Sequence, residues 1–132
     1  MIYDEDCGFC RVSLALLLTW DRRRALRPLP LGTPEADRLL ADLTAEERNA
    51  SWHLVAEDAP RTSAGAALAP SLSLLPGGRA PAALFARFPT ISERGYRWVA
   101  DHRRPLGRFL PARARRWADR VIAAHGGPTR PQ

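Results

Sequence analysis

Cys7 and Cys10 lie close together near the start of the chain, between the short apolar run Met1-Ile2-Tyr3 and a stretch from Gly8 to about Arg23 that favours helix. Nothing else in the sequence constrains the fold as much. The placement asks for a strand that enters a turn, Asp4-Glu5-Asp6-Cys7, and a helix that begins at the cysteines. In that helix Val12, Ala15, Leu16 and Trp20 recur at helical spacing and are the expected buried face. The run Asp21-Arg22-Arg23-Arg24 ends it with cations that suit the negative end of the helix dipole. A bond between two cysteines so close would close a tiny loop and remove little unfolded-chain entropy. A chain of 132 residues can also bury a core without staples. A purely structural disulfide is therefore a poor explanation for the pair.

The remaining punctuation sets an element order. Ala25 to Leu31 alternates apolar residues with others and reads as a second strand, which Pro28 and Pro30 push to a sheet edge. Thr33-Pro34-Glu35 opens a helix with Thr as cap and Pro in the first turn, and Ala36, Leu39, Leu40 and Leu43 are its expected inner face. Thr44-Ala45-Glu46-Glu47 resembles a second cap. Ser51 to Ala56 reads as a strand, Glu57-Asp58-Ala59-Pro60 as a turn, and Arg61 to Gly65 as an antiparallel return. Ala66 to Leu75 looks helical, up to Pro76-Gly77-Gly78. Three helices are then expected between proline breaks, over about 81–88, 90–104 and 105–124, with Gly126 to Gln132 as a loose end. Strand–helix–strand, helix, hairpin, then helices is the thioredoxin-type order, so the predicted fold class is α/β, or α+β if the sheet is mixed. The predicted organisation is a domain over residues 1–108 and a basic helical extension over 109–132.

Composition narrows the setting. All 20 basic residues are Arg, against 14 acids, and the formal net charge is +6. Residues 1–93 hold 10 Arg and 12 acids, whereas residues 94–132 hold 10 Arg and 2 acids, so the basic character belongs to the last third. The most apolar stretch, Val12 to Trp20, is far shorter than the ~20 residues a membrane span needs, and no membrane span is expected. The chain starts directly on a strand-like segment with no visible secretory signal. It reads as cytoplasmic, where thiols are kept reduced and a close CxxC serves catalysis or metal binding more often than stapling.

Three readings of Cys7-Gly8-Phe9-Cys10 stay open on the residues alone: a redox centre, a metal site, or inert thiols. At a helix start the two residues lie on adjacent turns, close enough to bond. The free N–H groups and the positive dipole end of that helix stabilise a thiolate. Cys7, the outer residue, would attack a disulfide, and Cys10, one turn in, would resolve the mixed disulfide. Asp4, Glu5 and Asp6 place like charge beside the nascent thiolate and oppose its formation, so a reductase-like couple is expected. Asp4 is a candidate proton acceptor for Cys10, or else an anchor of the loop. A zinc site wants four ligands. Only His53, His102 and His125 could join the cysteines as soft donors, and no two have finger-like spacing; His53 reads as a core or rim residue of its strand.

The run Tyr3-Asp4-Glu5-Asp6-Cys7-Gly8-Phe9-Cys10, followed by Arg11 and an apolar helix, resembles the signature of the DCC family of predicted thiol–disulfide oxidoreductases, with Asp4, Cys7 and Cys10 on the Asp-Cys-Cys pattern. Gly65-Ala66-Ala67 is similar to the family's Gly-x-x-Ala stretch, and Tyr96-Arg97-Trp98-Val99-Ala100-Asp101-His102-Arg103 to its later Tyr-Arg…Ala…Arg segment. The resemblance covers about residues 1–108. It implies a thioredoxin-like fold and disulfide exchange; no cofactor beyond the redox-active pair and no metal is expected. Glu5 stands where the family usually has Gly. Ala50-Ser51 stands where many thioredoxin-like proteins carry a cis-proline, so docking of substrate in that manner is not expected.

No nucleotide or flavin motif is present, so electrons are expected from a general thiol reductant, and the partner is a protein or small thiol or disulfide. Tyr96, Arg97 and Arg103 either line the site or belong to a packed helix with solvated arginines. Trp52, Trp98 and Trp117 lack a pattern and read as core rather than as a stacking platform. Arg113, Arg116 and Arg120 share one helix face. That face could dock an anionic surface or nucleic acid, or serve a non-catalytic interaction module, but it also fits the outer face of a docked amphipathic helix.

Overall fold

The computed structural model describes residues 1–56 and 59–128. Among the described residues four strands form one mixed sheet in the order β2-β1-β3-β4. The strand β1, Ile2–Tyr3, runs parallel to β2, Leu29–Pro30, and antiparallel to β3, His53–Ala56, which pairs antiparallel with β4, Ala59–Ser63. The mixed α/β architecture is compatible with a thioredoxin-like fold. The edge strand β2 is shorter than the run 25–31 predicted. Its pairing rests on the amides of Leu29 and Leu31, which donate to the Met1 and Tyr3 carbonyls at 2.9 Å each. Pro28 and Pro30 occupy the alternate positions, which face away from β1 and need no donor.

Helices cover both faces of the sheet. Successive strand residues point to opposite sides, so Tyr3 joins a cluster with Leu14, Leu18, Leu54 and Ile122, whereas Ile2 joins Leu29, Ala36 and Leu40. In the second group Ala36 comes from α2, Pro34–Leu39, and Leu40 is the residue that ends it; Thr33 caps its start, with Oγ1 accepting from the Ala36 amide at 3.3 Å. Leu39 is exposed rather than inward. A full capping box between Thr44 and Glu47 starts α3, Ala45–Ala50. Of the turn expected over Glu57-Asp58-Ala59-Pro60, Glu57 and Asp58 lie outside the described residues, as does the end of the tail from residue 129, whereas Ala59 and Pro60 already belong to β4, which ends at Ser63 rather than Gly65.

The first helix, α1, spans Gly8–Trp20 and buries Leu14, Ala15 and Leu18; of the predicted face Val12, Ala15, Leu16 and Trp20 only Ala15 is fully buried, and Leu16 is 59% exposed. Its end is held by Asp21, fully buried, whose carboxylate accepts the Ala25 and Leu26 amides at 3.0 and 2.7 Å. After β4 a 3-10 turn, Ala64–Ala67, leads into α4, Leu68–Ser73, then α5, Arg79–Arg87, and α6, Pro89–Arg108. The break predicted at Pro105 does not occur: Pro105 lies inside α6. It stands within the last turn, where few helical hydrogen bonds remain to be lost, and the Asp101 carbonyl deprived of its donor belongs to an exposed residue. The chain breaks instead at Pro111, the cap of α7, Ala112–Ala124. Ala118 and Ile122 of α7 are buried against α1, an Arg11–Asp119 ion pair at 2.8 Å joins the two helices, and Arg113, Arg116 and Arg120 lie on the exposed side.

Candidate functional site

Cys7 caps the N-terminus of α1 in extended backbone, and Cys10 follows one turn in. The two are joined by a disulfide, with their Cα atoms 5.2 Å apart, inside the usual range. The Cys7 sulfur also accepts the Cys10 amide at 3.2 Å, so it occupies the place that a capping oxygen takes in most helices. The first turn of α1 contains no acid; the acids lie upstream, in the turn from β1. Asp4 is half-buried there. Its Oδ1 accepts the Asp6 amide at 3.0 Å, and a carboxylate oxygen lies within 4.8 Å of both sulfurs. The Asp6 contact is the loop-anchor placement, and the same carboxylate also lies near the Cys10 sulfur. On the other flank the Arg115 side chain of α7 crosses Gly8, its Cδ 3.3 Å from where a Cβ would stand. That cation at the helix start was not foreseen, because only the fold brings residue 115 back to residue 8.

Asp4, Cys7 and Cys10 are a possible three-donor metal set, and among the described residues no fourth donor joins them. While the sulfurs are bonded to each other neither is a thiolate, the form a metal needs. His53 lies in β3, 1% exposed, with Nδ1 2.7 Å from the Ser63 hydroxyl and Nε2 3.1 Å from the Arg48 carbonyl. A carbonyl only accepts, so Nε2 carries the proton of the neutral ring and Nδ1 accepts from Ser63. Burial, with some help from nearby Arg61, lowers the His53 pKa below its ordinary 6.5.

Beside the disulfide opens a cavity of about 690 Å3. Tyr3, Asp4, Phe9 and Cys10 form its sulfur end; Phe85 and Phe88 come from α5 and the linker after it, and Ile91, Gly95, Tyr96 and Val99 from α6. Trp52 closes the back and is held three ways. Its amide donates to the Tyr96 hydroxyl at 3.0 Å, its indole N–H to the Ala64 carbonyl at 3.1 Å, and its own carbonyl accepts the Ala64 amide at 3.3 Å. The Trp52 and Tyr96 rings lie 5.9 Å apart, centre to centre. Burial raises the Tyr96 pKa above its usual 10.0, which keeps the phenol neutral. The helix α6 reaches this position because Gly65 lets it: a Cβ there would stand 2.6 Å from the Glu93 Cα, and the Gly65 amide donates to Glu93 Oε2 at 3.0 Å.

Of the three α6 candidates, Tyr96 and Arg103 line the cavity, and Arg103 donates to the Asn49 carbonyl at 2.7 Å. Arg97 points away and pairs with Glu93 at 2.8 Å. Trp98 is 60% exposed and stacks on His102, contrary to the core role expected of it. The apolar lining was missed. Its signal was the spacing Ile91, Gly95, Val99 along one helix face, which points at no particular partner until α5, α6 and the disulfide are brought together.

No helix in the described residues is long and apolar enough to cross a membrane. Comparison with curated proteins and with solved structures finds no match. The model of a family described as DCC1-like thiol-disulfide oxidoreductase matches residues 1–109. That span takes in the disulfide, the acidic turn and every wall of the cavity, and ends before α7 begins. With more than half its length matched and the cysteine pair bonded at a helix start, the chain belongs to the DCC1-like thiol-disulfide oxidoreductase family.

Proposed function

We propose that this protein is a thiol–disulfide oxidoreductase on a thioredoxin-like fold, working through Cys7 and Cys10 without a bound cofactor. The observation that carries the reading is the Cys7 sulfur at the N-cap of α1, bonded to Cys10 one turn in. In the reduced protein the amides of that first turn and the helix dipole stabilise a Cys7 thiolate. The thiolate attacks a substrate disulfide and expels one thiolate. Asp4, within 4.8 Å of the Cys10 sulfur, accepts its proton; the Cys10 thiolate then attacks Cys7 and releases the second half of the substrate. A general thiol reductant restores the dithiol. The carboxylate of Asp4 beside the pair works against thiolate formation, which favours a couple nearer thioredoxin, at about −270 mV, than DsbA, at about −120 mV.

Equilibration in glutathione or dithiothreitol buffers of graded poise measures the fraction of Cys7–Cys10 disulfide directly. The expected result is a reversible two-electron transition below about −200 mV, with Cys10→Ser accumulating a mixed disulfide on Cys7. A pair that never forms its bond at any poise would refute the reading and turn attention to the exposed face of Arg113, Arg116 and Arg120 as a docking surface.

A further inference from the structure

We propose that the cavity beside Cys10 is a specificity pocket, and that the substrate is a small organic disulfide with a bulky apolar skeleton. The proposal rests on the oxidoreductase reading and names its substrate class. Four observations point to this occupant. First, the cavity reaches the redox pair at Cys10, which forms part of its wall, and Cys7, bonded to Cys10, stands next to that wall. Second, its volume of about 690 Å3 lies in the range that holds small ligands. Third, its wall is mostly carbon, and its charged side chains are Asp4 and Arg103. Glutathione disulfide would bring carboxylates and ammonium groups there, to be stripped of water with little to meet them.

The fourth observation separates a small molecule from an extended peptide. A peptide that pairs as a strand with Trp52 needs the main-chain groups of that residue free. The Trp52 amide is already taken by the Tyr96 hydroxyl, and its carbonyl already accepts from Ala64. Recognition is left to apolar contact inside the cavity. Gly95 supports this. It sits in the middle of α6, where Gly is the poorest helix former after Pro. It has neither a left-handed φ nor a close neighbour to require it, since a Cβ there meets nothing within 4 Å. Its consequence is space in the cavity wall.

The reaction balances as two exchanges. The Cys7 thiolate attacks one sulfur of R–S–S–R, forming Cys7–S–S–R and releasing one thiolate. The Cys10 thiolate attacks the Cys7 sulfur, forming the Cys7–Cys10 bond and releasing the second. The two thiol protons of the protein end on the two R–SH products, and two electrons pass from the protein dithiol to the substrate. A low-molecular-weight dithiol regenerates the enzyme.

The test compares bis(2-phenylethyl) disulfide with bis(2-hydroxyethyl) disulfide, both dialkyl disulfides with similar leaving thiols, and with a disulfide-bonded unfolded polypeptide. Each rate is divided by that of the same substrate with free dithiothreitol. The normalised kcat/KM is expected to favour the phenylethyl compound by about tenfold to a hundredfold over the other two, the range for burying one large apolar group. Gly95→Leu, which fills the cavity while improving the helix, should reduce that preference to about threefold or less. Calorimetric binding of bis(2-phenylethyl) sulfide, which cannot exchange, should be seen with the unmodified protein and weaken at least about tenfold in Gly95→Leu. Equal normalised rates, a faster polypeptide, or absent thioether binding overturn the pocket proposal. A protein that still cycles in the graded redox buffers would then retain its oxidoreductase reading, whereas a pair that does not cycle takes both down.

Discussion

Replacing Tyr96 by Phe tests how the cavity is held to the sheet. The substitution keeps the ring that lies 5.9 Å from Trp52 and removes only the oxygen that accepts the Trp52 amide at 3.0 Å. That amide is partly buried, and its indole and carbonyl bonds to Ala64 prevent Trp52 from rotating out to find water. An N–H stranded in this way costs about 1–3 kcal/mol, and partial exposure puts the expected loss at about 1–2 kcal/mol. Urea unfolding should show it as a midpoint lowered by about 0.5–1 M with an unchanged slope. Tyr96→Leu removes the ring contact as well and should lose roughly another 0.5–1.5 kcal/mol. If Tyr96→Phe changed stability by less than about 0.3 kcal/mol, water would be serving the Trp52 amide. The hydroxyl would then not be its anchor, and the case that residue 52 is closed to a peptide would lose its footing.

Two further perturbations address the frame around the site. Gly65→Ala places a methyl 2.6 Å from the Glu93 Cα, so α6 must move; the expected loss is about 1–3 kcal/mol, and an unchanged thermal midpoint would show that the approach of α6 is not tight. His53 has a folded pKa below its unfolded value of 6.5, so the unfolded chain binds the extra proton first. The stability from the neutral ring is fully present above pH 6.5 and is lost as the pH falls from there toward the lowered folded value. Unfolding measured from pH 5 to 8 should show this acid-side loss in the wild type and a smaller one in His53→Gln; parallel curves would mean that His53 does not titrate differently on folding.

Element order was legible because punctuation is local. Thr33-Pro34 and Thr44 with Glu47 bring their own capping chemistry, and the Cys7-x-x-Cys10 spacing needs only a helix start to make a bonded pair. Faces were less legible. In α1 the run Leu14 to Leu18 is apolar at every position, so its spacing admits several inward faces, and packing against α7 selects Leu14, Ala15 and Leu18. Pro105 misled for a related reason: its penalty depends on how many helical bonds it interrupts, and at the end of α6 that number is small. The cavity was least legible, since it joins residues from 3 to 103: α5 and α6 adjoin in sequence, but only the fold brings them to Trp52 and to the stretch from Tyr3 to Cys10.

The division of labour within the site follows from these differences. A cysteine pair at a helix start supplies reactivity from four residues and one turn of backbone, and so it reads directly from sequence. Reactivity of that kind selects nothing, because any accessible disulfide meets the same thiolate. Selection needs surface that touches the substrate away from its sulfurs, and here that surface comes from α5 and α6, long after the cysteines in the chain. Gly65 sets how closely α6 approaches, Tyr96 ties it to Trp52, and Gly95 sets how much room remains. None of the three touches a sulfur in a chemical role. A substitution at any of them should therefore alter which disulfide is preferred far more than it alters the midpoint potential of the Cys7–Cys10 couple, which depends on the α1 N-terminus and Asp4.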